Sequence, residues 1–300
     1  MNQVVCFGEV LWDLFPDGKK LGGAPLNVAL RMNSWGIKSQ IISCVGNDIL
    51  GEELLASIKS KGIDPKYIQI NKSFDTGTLG VCLNEEGSAT YKIAHPVGWD
   101  KMELISTYEK LVSSSKVFIF GSLIARDQVS KNCLLSLLNK SNYSVFDINL
   151  RAPFYSISDI ELLMKRADFI KFNNEELHEI CIALGCNEKS IENKIEFISS
   201  KTGTHTICVT LGKEGAILYR KAIYYRQNGY HAKVVDTVGA GDSFLGTLIT
   251  NLLRENGIKE SLNKACATGA LVTQTKGANP IISEEMLVDF MERSDHSNEK

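Results

Sequence analysis

Short apolar runs alternate with longer amphipathic ones along most of these 300 residues, and that alternation most limits what the chain can fold into. Residues 4–8, 40–45, 116–120, 144–148, 168–172 and 206–210 read as strands. Between them, 25–36, 51–61, 102–114, 127–140 and 159–166 read as helices, with further helices starting at Asn174 and Glu188. Pro25 in a first turn and Gly36 after a last one suit the two helix termini. Alternation of this kind predicts an α/β fold, a parallel sheet with crossover helices. A meander of short strands over 216–235 follows, then helices over 241–256 and 261–275 and from Glu284, before a polar tail over 293–300.

One stretch breaks the pattern. Residues 77–83 and 89–94 are strand-like with no helix between them, and Asn84-Glu-Glu-Gly-Ser88 offers Gly87 for a positive φ. That is a hairpin signature. The hairpin forms either a small separate sheet, a flap over a site, or a plain sheet edge. No linker, repeat or shift in composition divides the chain, so a single domain over 1–300 is expected, with a lid from about 11–23 and 66–97.

Hydrophobic residues make up 44% and charged residues 23%, and the net charge is −2. No general field draws nucleic acid or an anionic membrane, so a phosphate ligand must be held by local geometry. No run approaches a membrane span, and the first fifteen residues lack a signal-peptide pattern. The eight cysteines contain no C-x-x-C pair and the five histidines no metal-ligand spacing. Reduced, buried cysteines and a cytoplasmic protein are expected.

Chemistry concentrates in Asp236-Thr-Val-Gly-Ala-Gly-Asp242, between a β-like stretch at 231–235 and a helix-like one from Ser243. Glycines at a helix start let backbone N–H groups close on an anion, and Asp242 beside them is placed to take a proton. The same residues also read as an ordinary helix N-cap. Familiar nucleotide signatures are missing: there is no G-x-x-x-x-G-K-[ST], and Gly239-Ala-Gly241 does not extend to G-x-G-x-x-G. A dinucleotide oxidoreductase is thereby disfavoured.

Four segments taken together resemble the signatures of the ribokinase-like (PfkB) carbohydrate kinases. They are Gly22-Gly-Ala-Pro-Leu-Asn27, Asn173-Asn-Glu-Glu176, Thr210-Leu-Gly-Lys-Glu-Gly215 and Asp236 through Gly246. The run from Gly8 through Asp13 to Pro25 is similar to that of bacterial fructokinases. The resemblance implies a ribokinase-like fold, a Rossmann-like, mostly parallel central sheet flanked by helices. It also implies ATP-dependent phosphorylation of a sugar hydroxyl, with D-fructose as the leading substrate. Ribose, 2-keto-3-deoxygluconate or a nucleoside is the alternative, and a catalytically silent sugar-binding relative is a third reading.

Roles follow from the same resemblance. Asp242 would be the general base, with an ordinary carboxylate pKa near 4, and Gly239, Ala240 and Gly241 the anion hole. Asp13, Gly22, Gly23, Asn27 and Asn149 would meet the sugar, and Arg151 the sugar and the transferred phosphate. Asn173, Thr210, Gly212, Gly215, Gly277 and Asn279 would meet ATP, with Gly277 to Asn279 at the adenine end. Glu176 would organise Mg²⁺ through water. Taken on its own, Asn173 with Glu176 is also nearly a capping box, Asp13 a turn residue and Arg151 a surface residue. Relatives are often activated by a monovalent cation such as K⁺, for which Asp236 matches the one charged ligand. The hairpin would act as the lid, and in some relatives it pairs two subunits; Leu79, Val81, Tyr91 and Ile93 would permit a homodimer.

Overall fold

Strands that are apolar on both faces must be covered on both, and the computed structural model, which describes residues 3–15, 18–83 and 89–295, is built that way. The first half runs β1 (Gln3–Phe7), β2 (Leu11–Phe15), β3 (Gly18–Gly22), α1 (Ala24–Ser34), β4 (Lys38–Gly46), α2 (Ile49–Ser60) and β5 (Ile68–Asn71). It continues with β6 (Thr78–Leu83), β7 (Ala89–Ile93), α3 (Ser106–Ser114), β8 (Val117–Gly121), α4 (Gln128–Leu138) and β9 (Ser144–Asp147). Then come α5 (Ile157–Met164), β10 (Phe169–Asn173), α6 (Asn174–Ala183), α7 (Ile191–Thr202) and β11 (Thr206–Thr210). The chain closes with β12 (Ala216–Arg220), β13 (Ile223–Gln227), α8 (Ala240–Leu253), α9 (Ile258–Thr273) and α10 (Glu284–Asp295).

The large sheet has nine strands in the order β13-β12-β11-β10-β9-β8-β1-β4-β5. Every pair from β11 to β5 is parallel, and β12 and β13 extend the sheet antiparallel. Strand order reverses at β1, with β4 and β5 on one side and β8 to β11 on the other. Ligands in such sheets sit at the carboxyl ends of the strands near that reversal.

Alternate residues of β8 show how the two faces are filled. Phe118 and Phe120 enter one buried cluster with α3 to α7, whereas Val117 and Ile119 enter another with α1, α2, α8 and α9. In the first cluster Phe120 and Phe146 stack with ring centroids 4.8 Å apart, and both are fully buried. All seven described cysteines are free and buried, as read from the sequence. No helix among the described residues is long and apolar enough to cross a membrane.

A second sheet of four strands, β3-β2-β6-β7, stands over one end of the first. Much of 13–23 is therefore strand, and Asp13, a turn residue when read on its own, lies opposite Lys20 in the β2–β3 ladder. Residues 68–71, counted in the sequence with the second lid segment, form β5, which pairs with β4 in the large sheet, and the small sheet takes up the chain at Thr78. Asn84 to Ser88, including the expected turn glycine Gly87, lie outside the described residues, as do the side chains of Val81 and Tyr91.

Two further boundaries move. The helix expected from Met102 starts at Ser106, because Met102 is buried and its N–H donates to the Ser130 hydroxyl at 2.9 Å. Residues 231–235 pair in no sheet; their valines, Val234 and Val235, are 62% and 53% exposed beside the cleft described below. Apolar sequence there forms no strand, and of the two valines Val234 lines the cleft. Phe146→Ala should lower the free energy of unfolding by about 3–5 kcal/mol, measured by denaturant titration, with little change in m.

Candidate active site

Parallel strands end their backbone pairing at one edge of a sheet, and the residues just beyond that edge are free to face a ligand. Asp147 ends β9, Asn173 ends β10, Thr210 ends β11, and Glu9 follows β1. These residues line a cleft of about 1590 Å³, closed on one side by Asp13, Phe15, Leu79 and Ile93 of the small sheet. Its far end is walled by residues 227–238 and by Cys266, Gly269 and Thr273 of α9. One cleft of this size exceeds the few hundred Å³ a single small molecule needs, which leaves room for two.

The glycine run starts α8. Gly239 is the N-cap with φ 77°, and a Cβ there would come 2.5 Å from Ala278, so only glycine fits. Ala240, Gly241 and Asp242 make the first turn; the Ala240 N–H donates to the Thr237 carbonyl at 3.3 Å, whereas the Gly241 and Asp242 amides have no helical carbonyl one turn back, and the helix dipole favours negative charge. Asp242 does not cap the helix with its side chain, contrary to the second role that its type suggests. Its Oδ2 instead accepts from Asn27 Nδ2 of α1 at 2.8 Å.

Asn27 is itself fixed, because its Oδ1 accepts from Asn279 Nδ2 at 2.7 Å. Farther along α1, Arg31 Nε donates to Ser243 Oγ at 3.2 Å and Trp35 Nε1 to Thr247 Oγ1 at 3.0 Å. The sites 27, 31 and 35 lie four residues apart, so one stripe of α1 is hydrogen-bonded to α8.

Asp13 and Gly23 border the same cleft as Asp242, while Gly22 packs against Asp13. Asn149 and Arg151 follow β9 at the cleft floor. Asn149 has φ 40°, a region Asn tolerates better than most residues, and Arg151 is exposed. Thr210, Gly212 and Gly215 line the far half, and the Thr210 hydroxyl donates to the Phe172 carbonyl at 3.3 Å. Gly277 and Asn279 are not among the cleft-lining residues. They brace it from behind, Asn279 through Asn27 and Gly277 by donating its N–H to Asp236 Oδ2 at 2.9 Å.

The other Asp236 oxygen accepts from the Val238 N–H at 3.0 Å, so this carboxylate ties the glycine run to the loop after α9. Glu176 makes the capping box that its spacing with Asn173 suggests, and it also accepts from the Leu150 N–H at 3.1 Å. It still borders the cleft. Leu79 and Ile93 of the small sheet border the cleft as well.

Three residues with no role assigned from the sequence share the site. Lys171, in the buried strand β10, donates to Asp147 Oδ1 at 2.8 Å. A charged residue between Ile170 and Phe172 was the signal for it. Glu9 is buried, with Oε1 accepting from the Ala24 N–H at 3.2 Å and Oε2 without a partner among the described residues.

Crowded carboxyl groups leave their mark on protonation. Burial, and then the Asp147 charge, push Asp242 up to about 6, against the pull of Asn27, Lys171 and Arg151. The ordinary value near 4 read from the sequence is thus corrected by neighbours it could not show. Burial and Asp242 likewise push Asp13 up to about 6. Burial pushes Glu9 up to about 7 and Glu176 upward, with Lys171 pulling Glu176 back. Burial works against the Lys171 charge, yet Asp147 and Glu176 hold its pKa above the ordinary value.

Residues 1–285 match the family model described as pfkB family carbohydrate kinase. Fructokinase-2 of Solanum lycopersicum is 29% identical over 312 aligned positions, covering 93% of this chain and 92% of that protein. A fructokinase from Vibrio cholerae O395, in its form with bound fructose, ADP and calcium ion, superposes with TM-score 0.83 at 26% identity. That superposition covers 97% of this chain and 99% of the other. A double mutant of the same enzyme with fructose, ADP and potassium ion gives TM-score 0.83 at 25% identity, over 97% of this chain and 98% of the other. The fold is therefore ribokinase-like, as the sequence motifs led one to expect.

A carboxyl group with a raised folded-state pKa favours folding below its unfolded value, and that advantage is lost as pH rises through the folded value. For Glu9 the window runs from about 4.5 to about 7. Glu9→Gln, which can keep the bond to Ala24, should therefore raise stability by about 2–3 kcal/mol more at pH 8.5 than at pH 5. Thermal or urea melts at the two pH values measure this.

Proposed function

Because the chain belongs to the pfkB family of carbohydrate kinases, we propose that it transfers the γ-phosphate of ATP to a hydroxyl of a monosaccharide, with D-fructose as the sugar. The observation that carries the reading is the Asp242 carboxylate, oriented by Asn27 beside the open first turn of a helix, in one cleft with Asp13. A hydroxyl attacking phosphorus must lose its proton, and the transferred group carries charge that needs donors aimed at it. Asp242 supplies the first need, and the amides of Gly239, Ala240 and Gly241 the second.

The sugar would lie under the small sheet. Asp13, as a carboxylate, accepts two hydrogen bonds from neighbouring hydroxyls, and Asn149 and Gly23 border the same end. Arg151 would reach toward the transferred phosphate with its fork of donors. ATP would occupy the far end, past Asn173, Thr210, Gly212 and Gly215. The lid strands exclude water, which would otherwise take the phosphoryl group.

Mg²⁺ would be held through water at Glu176. Each Glu176 oxygen uses one lone pair on a backbone amide, which leaves the other to accept from a water of the hydrated ion. Bound there, the ion would offset the charge of the phosphates. Asp236, held between two backbone amides, suits a K⁺ site built mainly from nearby carbonyls. Fructose as substrate is supported by the fructokinase relatives, and the fructose-bound Vibrio cholerae structure is consistent with it.

Measured by ADP release over a panel of free sugars, fructose should give the highest kcat/KM; ribose, 2-keto-3-deoxygluconate or a nucleoside ahead of it would replace fructose in this reading. Asp242→Asn should lower kcat by about 10²–10⁴-fold with sugar binding largely kept. Since Asp242 must be ionised to accept the proton, kcat/KM should fall about tenfold per pH unit below about 6. Asp13→Ala should raise the sugar KM much more than the ATP KM.

A further inference from the structure

Ionic pairs buried inside a sheet seldom add stability, because desolvating both charges offsets their attraction, and apolar residues of like size serve as well. The pair between Lys171 and Asp147 is such a case. Both side chains are 7% exposed, and the strand neighbours Ile170, Phe172 and Phe146 are fully buried and apolar. Its position is what distinguishes it. A Cβ built on Gly241 would come 3.6 Å from Lys171 Nζ, so the ammonium lies directly against the first turn of α8. Both charged residues also line the cleft.

We propose that Lys171, locked in place by Asp147, is a positioning residue for phosphoryl transfer, setting the charge beneath Gly241 and holding Asp242 in its proton-accepting form. This rests on the sugar kinase reading above, and not on which sugar is used. Asp242 is faced by Asp147 and Lys171 from the strand ends and by Arg151 from the loop after β9. Glu9 and Asp13 approach it from the β1 end and the lid. Carboxylates therefore outnumber cations around the base, and an arriving nucleotide, even with its magnesium ion, still adds net negative charge. Both changes drive a proton onto Asp242. Lys171 opposes them from a fixed position, so no reorganisation is needed when charge shifts onto the transferring group. Asp147 acts in the opposite sense on Asp242 while anchoring the ammonium.

Opposed signs give a test that a purely structural role would fail. The pH dependence of kcat and kcat/KM is measured with saturating ATP and magnesium, and with whichever sugar the wild-type enzyme phosphorylates. A mistaken choice of fructose thus leaves the result intact. Lys171→Met should lower kcat by about tenfold or more and move the acidic limb to higher pH. Asp147→Asn should move that limb to lower pH, and Lys171→Arg should stay near wild type. The double variant K171M/D147N, which leaves no unpaired buried charge, keeps the test open if K171M does not fold. It should restore the limb toward wild type while kcat stays low. Limbs that do not move, or that move in the same direction in folded K171M and D147N, overturn the proposal. So does a double variant with wild-type kcat.

Discussion

The seam between α1 and α8 is the constraint on which the site depends. Asn27, Arg31 and Trp35 face Asp242, Ser243 and Thr247, and each pair is hydrogen-bonded. A buried polar seam tolerates only one register, since sliding either helix by a residue would strand donors and acceptors away from water. Gly246 allows the close approach, because a Cβ there would come 3.1 Å from the Arg31 side chain. Arg31 also donates to the Pro280 carbonyl at 2.9 Å, so the loop after α9 is held by the same stripe. Helices from opposite ends of the sequence thereby place the Asp242 carboxylate with little freedom to move.

Electrostatics at the strand edge work against the fold to serve the site. Glu9, Asp13, Glu176 and Asp242 all resist ionisation in the folded state, so each opposes folding at neutral pH. A core built for stability alone would not gather them. Buried aromatic packing around Phe118, Phe120 and Phe146 supplies stability to offset this cost. Stiff strands then hold the charges at fixed separations.

The parallel sheet was legible because its strands are apolar on both faces and its helices on one, a pattern that local sequence carries in full. The glycine run was legible as an anion site only beside the other three motifs; alone it read equally as a cap. What sequence could not carry was contact between distant residues. Asn279 looked like a nucleotide ligand, yet it spends its amide on Asn27. Valines at 234 and 235 looked like a strand, yet they stay exposed beside the cleft. Residues 68–71 looked like part of a lid, yet they pair with β4. Lys171 and Asp147 were visible as charges among apolar neighbours, but their joint meaning appears only where two strands end side by side.

Division of labour follows from the architecture. On the proposed reading, the groups that would handle phosphoryl transfer belong to the large sheet and the helix packed on it: the first turn of α8, Asp242, Lys171 and the ends of β9 to β11. The sugar end would belong largely to a separate four-stranded sheet, which reaches the cleft through Asp13, Leu79 and Ile93. The two sheets share no strand, although β3 leads directly into α1, so on that reading the choice of hydroxyl pattern would fall largely to the smaller sheet while the α1–α8 seam and the buried ion pair stay with the larger one.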